Sequence, residues 1–227
     1  MSNPAARPDD DRLARHLRGF GLIGLLAIVV VLSGNYLWIP LSSLLVLLWA
    51  WRSRTPWREI GFVRPQSWLT TLLLGVLLGC VFKLVMKALV MPLLGAPPTN
   101  AAFQFLVGNT AALPHILYVV IVIAGFGEEI LFRGYAFERL GKLFGHSTWA
   151  KTLIVVLTSA WFGWEHYPLQ GLPGVQQAAI VGLAFGAIYA ATGNLWTLII
   201  AHIAFDLTAV AIIYFNIEAQ IAHLIFR

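Results

Sequence analysis

Two adjacent glutamates and an arginine interrupt a long apolar stretch near the middle of the chain. Glu128 and Glu129 follow a mostly apolar run at residues 113–124. Glu129 and Arg133 are four residues apart, with the acid first, which is the favourable order for an ion pair on a helix. Glu128 lies about 100° around the helix from this pair. The spacing therefore leaves Glu128 unpaired in a low-dielectric site, where a carboxylate can act as a general base towards water.

Two histidines on later apolar runs could complete such a site. His202 and Asp206 are one helical turn apart, and a carboxylate at this spacing can fix the tautomer and orientation of an imidazole. Phe162 and His166 also share a helix face one turn apart. A carboxylate base, an imidazole and an oxyanion donor are sufficient for metal-free hydrolysis.

These residues also have simpler interpretations: a structural ion pair, an interfacial histidine and a polar pair that ties helices together. The helical rise of 1.5 Å per residue places Glu128, His166 and His202 roughly 12 to 22 Å from the cytoplasmic boundary. The hydrocarbon core is about 30 Å thick. Because three spans bring polar groups to a similar depth, the set together favours a functional site.

Two other chemistries compete with this interpretation. Zinc could take Glu128, His166 and His202 as ligands, but the sequence has no H-E-x-x-H motif and the two histidines belong to separate helices. Nucleophilic catalysis is weakly supported, because the single cysteine, Cys80, is isolated in an apolar run and no serine has a nucleophile-elbow context. We expect no cofactor, with zinc as the alternative.

Three motifs in this order resemble the CPBP family, the CAAX proteases and bacteriocin-processing enzymes that are also called the Abi family. This family includes the type II CAAX prenyl endopeptidases. The resemblance covers about residues 113–215. The motifs are Glu128-Glu129-x-x-x-Arg133, Phe162-x-x-x-His166 and His202-x-x-x-Asp206.

The resemblance implies an intramembrane endopeptidase of the glutamic type, which hydrolyses a peptide bond in CAAX-type or other protein processing. Glu128 would activate water and His166 would hold or polarise that water. His202 and Asp206 would stabilise the oxyanion. The family often has Asn at the position of Asp206, so Asp206 would have to be protonated or would orient His202 instead. Supporting roles fall to Glu129, Arg133 and Phe162.

The composition indicates that the elements that position these residues belong to a membrane protein. Of 227 residues, 59% are hydrophobic and 11% are charged, and the mean hydropathy is +0.80, whereas soluble domains are about 25% charged. The net charge of +5 does not indicate nucleic-acid binding, because the basic residues collect between apolar runs as topology determinants. We predict an all-α polytopic bundle of about seven or eight transmembrane helices in a lipid bilayer.

The chain divides into four predicted regions. Residues 1–18 form a cytoplasmic segment, and residues 19–112 form the N-terminal transmembrane helices and an outer loop. Residues 113–215 form the catalytic core, and residues 216–227 form a tail or short helix. Arginines flank both ends of the first hairpin, which places the N-terminus in the cytoplasm. The chain is most similar to bacterial proteins, which implies a location in the bacterial inner membrane.

Two details of the N-terminal half are interpreted from composition alone. Ser33-Gly34-Asn35 has a turn composition and separates the first two apolar runs. Lys83 and Lys87, one turn apart in the third span, are interpreted as snorkelling to the outer interface. Lining a polar cavity is the alternative.

Two functions of other classes remain open. One is a non-proteolytic immunity or scaffold protein, in which the motif residues serve packing. The other is a proton-coupled transporter with a Glu and His relay, although the sequence lacks the inverted repeats typical of transporters. For the protease, the expected substrate is a peptide or protein, lipidated or membrane-anchored.

Overall fold

Helices form along the long apolar runs, because a backbone in lipid must satisfy its N–H and C=O groups internally. The computed structural model of the protein describes residues 8–38 and 40–226, and this part of the chain contains helices and turns but no strand. Four helices are long and apolar enough to cross a membrane, or up to five if the pair Arg12–Arg18 and Leu22–Leu37, bent by 62°, is one span. The all-α membrane bundle is confirmed, and the number of seven or eight spans stays a prediction.

The helices are labelled in chain order. They are α1 (Pro8–Arg18), α2 (Leu22–Leu37), α3 (Leu41–Arg52), α4 (Trp68–Leu93), α5 (Thr110–Phe144), α6 (Thr148–Glu165), α7 (Tyr167–Thr192), α8 (Leu195–Tyr214) and α9 (Glu218–Ala222). Short 3-10 helices lie at Trp57–Ile60 and Ala101–Leu106. Of the predicted cytoplasmic segment, residues 1–7 lie outside the described residues and residues 8–18 form α1. The predicted tail helix is α9.

The first two apolar runs form a hairpin, but its turn is not at Ser33-Gly34-Asn35. These residues lie inside α2, and the chain reverses only after Trp38. The Asn35 N–H donates to Ser42 Oγ and the Ser42 N–H donates to Asn35 Oδ1, both at 3.0 Å. A Cβ on Gly34 would lie 2.8 Å from Ser42 N. The polar residues therefore join α2 to the start of α3, and the turn prediction was wrong.

Glycines bring the helices of the second half into close contact. A Cβ on Gly182 would lie 3.0 Å from Ser159 Cβ, and one on Gly186 would lie 3.2 Å from Val155 Cγ1. The absence of a side chain at both glycines therefore lets α6 and α7 pack closely. A Cβ on Gly79 would overlap the carbonyl oxygen of Ala201, so α4 and α8 approach with almost no space between their backbones.

The helix α5 is wider than an α-helix where it carries the glutamates. Its backbone is π-helical at Val119–Tyr135, and the Ala136 N–H donates to Leu131 O, five residues back. Such turns are frequent at functional sites. The wider turn separates Glu128 and Glu129 by less rotation than the 100° expected for an α-helix, so both can face α8.

Residues 170–174, which are rich in glycine and proline, include a kink within α7. Helical structure starts at Tyr167, and the axis breaks at Gly171, which has φ 60° and ψ −157°. Glycine adopts this conformation readily, whereas residues with a Cβ rarely do. The chain thus turns over one end of the bundle without leaving helical structure for long.

Candidate active site

A cavity of about 1030 Å³ lies among the helices of the bundle, and α4 to α8 all contribute to its lining. Glu128, His166, His202 and Asp206, the four residues predicted to be catalytic, all line it. They come from α5, from the end of α6 and from α8. The structure therefore brings these four predicted residues to one space.

His202 is the centre of the polar contacts in this cavity. Its Nδ1 lies 2.7 Å from Glu129 Oε1, and because a carboxylate accepts, Nδ1 carries the hydrogen and donates. Its Nε2 lies 3.7 Å from both Glu128 Oε2 and Asp206 Oδ2. These gaps are too long for direct hydrogen bonds but suit a bridging water or a substrate oxygen.

Glu129 is buried and makes two hydrogen bonds with the same oxygen. Oε1 accepts from Arg133 Nη1 at 2.8 Å as well as from His202. The Arg133 guanidinium also lies over the rings of Phe162, at 4.8 Å, and Phe185, at 5.9 Å. The predicted Glu129–Arg133 ion pair is confirmed, and Glu129 has the further function of holding His202.

Glu128 has a different environment from its neighbour. Its side chain is 25% exposed, towards the cavity, and its Oε2 has no hydrogen-bond partner. His166 Nδ1 donates to the Phe162 carbonyl oxygen at 2.8 Å, which leaves Nε2 as the free nitrogen of that ring. Glu128 Oε2 lies 3.7 Å from His202 Nε2, and His166 lines the same cavity. Glu128 thus faces two imidazoles across the cavity.

Asp206 lies beside Nε2 of His202, the ring nitrogen that does not bond to Glu129. The hydrogen bond that orients the imidazole comes from Glu129, although the spacing on α8 had suggested Asp206 for this function. The side chain of Asp206 is 24% exposed. The i,i+4 spacing was visible in the sequence, whereas the contact with a residue on α5 was not.

Two buried lysines on α4 line this cavity, as the alternative interpretation of their positions in the sequence expected. Lys83 and Lys87 are each 8% exposed and line the cavity. Lys83 Nζ donates to Gln177 Oε1 at 3.1 Å, and Lys87 Nζ pairs with Glu218 Oε1 at 2.7 Å. The interpretation that they snorkel to the interface was wrong. The signal was the spacing, because the lysines continue the four-residue repeat of Gly75 and Gly79 along one helix face.

Glu218 joins three segments of the chain at this cavity. Besides Lys87, it accepts from the backbone N–H of Asn100 at 3.2 Å and from Gln104 Nε2 at 2.7 Å. Its side chain is 5% exposed. One carboxylate thus holds α9, α4 and the segment before α5 together.

The side chains of the cavity were compared with the ligand sets that hold metal ions in proteins. Within residues 8–38 and 40–226, no group of three or more His, Cys, Asp and Glu side chains is placed to hold a metal ion. His202 Nδ1 and His166 Nδ1 already donate to other groups. These bonds leave Nε2 of each ring free, and metal-ligating histidines commonly donate their other N–H in this way, so zinc binding by Glu128, His166 and His202 stays a prediction.

Comparison with known proteins gives one match. The family model described as "Type II CAAX prenyl endopeptidase Rce1-like" matches residues 110–208, a segment that contains all the motif residues above. None of the curated proteins and none of the solved structures in the comparison matches the chain.

Proposed function

This chain belongs, through residues 110–208, to the Rce1-like family of type II CAAX prenyl endopeptidases, and we propose that it hydrolyses peptide bonds with water activated by Glu128. The family predicted from the three motifs is thereby confirmed. Apolar helices and this family make the chain a multi-pass membrane protease. Residues 113–215 are proposed as the catalytic core.

The observation that carries the proposal is the unpaired carboxyl of Glu128 in the cavity. A carboxylate held for structure would be expected to have a partner, as Glu129 has in Arg133. Each glutamate has a buried Oε2 without a hydrogen bond, but Glu129 Oε1 accepts two hydrogen bonds, whereas the nearest imidazole nitrogen to Glu128 Oε2 is His202 Nε2 at 3.7 Å. A buried polar group that has no protein partner is best explained by a water or a ligand that binds to it.

In the proposed first step, water lies between Glu128 and His166 Nε2. Its oxygen bonds to the carbonyl carbon of the substrate while one proton passes to the Glu128 carboxylate. The electron pair of the C=O bond moves to oxygen and gives an oxyanion. His202 donates to this oxyanion from Nε2, which requires hydrogens on both ring nitrogens, one of them held by Glu129.

In the second step the oxyanion collapses and the C–N bond breaks. Glu128 returns its proton to the departing nitrogen, so the products are a new carboxyl group and a free amine. The carboxyl of Glu128 is restored as the general base for the next turnover. Asp206 lies on the oxyanion side, beside His202 Nε2.

The substrate is proposed to be a peptide or protein, lipidated or membrane-anchored, that enters the cavity from the bilayer. The N-terminus is proposed to be cytoplasmic, because arginines flank the first hairpin. The proposed location is a bacterial inner membrane. A CAAX-type substrate is the first candidate, because the family description includes it.

The test is cleavage of membrane-anchored peptides by the protein reconstituted in lipid vesicles. Glu128→Gln and His166→Ala should each lose at least about 100-fold in kcat. Glu59→Gln is the matched control, because this carboxylate lies outside the cavity with a 42% exposed side chain. Activity near wild type in Glu128→Gln or His166→Ala would contradict the proposal.

A chelator arm of the same assay addresses zinc. Activity should survive chelation, and loss that zinc restores would replace this mechanism by a zinc-dependent one. A cellular phenotype retained by Glu128→Gln without any cleavage would favour the scaffold function instead.

A further inference from the structure

Lys83 is a buried cation in the cavity that the proposed hydrolysis does not use. It is 8% exposed, its Nζ donates to Gln177 Oε1, and it lies 4.8 Å from the centre of the Phe205 ring. Phe205 precedes Asp206 on α8, and Asp206 lies 3.7 Å from His202 Nε2. Lys83 therefore belongs to the same cavity as the proposed catalytic groups.

The charge of Lys83 has no carboxylate bonded to it among the described residues. Lys87, one turn further along α4, has Glu218 at 2.7 Å. Lys83 has only an amide oxygen and an aromatic face. Asp206, Lys87 and Glu218 line the same cavity. A buried ammonium without a paired anion is costly, which favours an anion that arrives with the substrate.

The backbone around Lys83 holds this ammonium in place. A Cβ on Gly79, one turn before Lys83, would lie 2.8 Å from both Ala204 Cβ and Phe205 N. This contact fixes α4 against α8 directly below the lysine. The side chain then extends over Phe205 towards Gln177 on α7, so its charged end is set by three helices.

We propose that Lys83, together with Gln177, binds a carboxylate of the peptide substrate. This inference rests on the proposed peptidase function and adds a specificity residue to it. A carboxylate held at Lys83 sets the distance along the peptide to Glu128, and so selects which peptide bond reaches the activated water. The carboxylate can be the free C-terminus of the substrate or the side chain of an acidic residue.

The experiment measures peptide binding to the Glu128→Gln protein in lipid nanodiscs, where no cleavage occurs. Three fluorescent peptides are compared: two share one sequence and end in a carboxylate or an amide, and the third ends in an amide and has Glu in place of one internal Gln. Adding Lys83→Met should weaken binding of a carboxylate peptide by at least about 30-fold. It should remove the preference of the protein for that peptide over the neutral amide.

Lys87→Met in the same background is the matched control. It removes a lysine from the same face of α4, but one whose charge Glu218 already neutralises, so the carboxylate preference should persist. The preference is a ratio within each variant, so partial loss of folded protein does not alter it. Preference for the C-terminal acid or for the internal Glu would each support the proposal and assign the source of the carboxylate.

Two results would overturn the inference. One is equal affinity of the Glu128→Gln protein for all three peptides. The other is a Lys83→Met variant that loses affinity for the acid and amide peptides alike, which would mean that Lys83 only supports Asp206 or the helix packing. Failure of the wild-type protein to cleave any peptide would refute the hydrolysis and leave these binding results unaffected.

Discussion

Glu129→Gln tests the division of tasks between the two adjacent glutamates. The substitution keeps the size of the side chain and one acceptor oxygen, but it removes the negative charge beside Arg133. Arg133 is 1% exposed and would keep only the faces of Phe162 and Phe185 as partners for its charge. His202 would compete with Arg133 for the remaining oxygen.

The expected loss is large because the pair is buried. Removing one partner of a buried ion pair typically costs about 3–5 kcal/mol, and cation–π contacts with two aromatic rings offset about 2 kcal/mol at most. We therefore expect Glu129→Gln to lose about 3 kcal/mol in the free energy of unfolding. Glu128→Gln should lose less than about 1 kcal/mol, because Glu128 Oε2 has no hydrogen bond to lose.

The assay is unfolding by denaturing detergent in mixed micelles, followed by the loss of helical circular dichroism. The double variant Glu129→Gln with Arg133→Met removes both charges and should recover part of the stability lost by Glu129→Gln alone. Its peptidase activity should stay low, because Arg133 no longer helps to hold the group that orients His202.

A Glu129→Gln protein as stable as wild type would refute this reasoning. So would a double variant less stable than the single variant, because the buried guanidinium would then not be the source of the cost. Either result would mean that Glu129 is not the structural member of the pair.

Two further predictions concern single positions. Asp206→Asn should keep kcat within about fivefold of wild type, because an amide can donate to the oxyanion without a proton from solvent; peptide cleavage measured against pH checks it, and a loss above about 100-fold would show that the negative charge is needed. Gly79→Leu should lower the free energy of unfolding by about 1–3 kcal/mol, because the added side chain forces α4 away from Ala201. Detergent unfolding measures this loss against Gly21→Ala, where a Cβ meets nothing within 4 Å, and equal stabilities would contradict it.

The local part of the site was predictable from the sequence. Glu129 and Arg133 lie on one helix, and their four-residue spacing alone brings the charges together, as observed at 2.8 Å. The bond from His202 to Glu129 spans 73 positions of the chain. Spacing carries no information about which helices are neighbours, so the choice of Glu129 rather than Asp206 as the orienting group needed the structure.

In the N-terminal half, too, the sequence did not reveal which helices are neighbours. Composition assigned Ser33-Gly34-Asn35 to a turn, because these residues favour turns when nothing packs on them. In the structure Ser42 of the next helix packs against Gly34 and donates its N–H to Asn35 Oδ1, and this tertiary contact determines their conformation. Lys83 and Lys87 were assigned to the interface because hydropathy does not reveal which face of a span other helices cover.

The kink in α7 was partly predictable. Glycine and proline near residue 171 indicated a break, which Gly171 makes. The helical segment that starts at Tyr167 was not expected, although proline is well tolerated in the first turn of a helix. Pro168 occupies that first turn.

The walls of the cavity are helical, and this limits the backbone conformations in which a substrate can be cut. Backbone amides and carbonyls in these helices bond along their own axes, so the cavity offers no sheet edge on which an incoming chain could add a strand. Side-chain amides such as Gln170 and Gln177 on α7 are the neutral groups left to hold an extended backbone. A helical substrate would first have to unwind within lipid, where each freed amide is costly. Segments that already resist helix formation, rich in glycine or proline, should therefore be cut in preference to regular transmembrane helices.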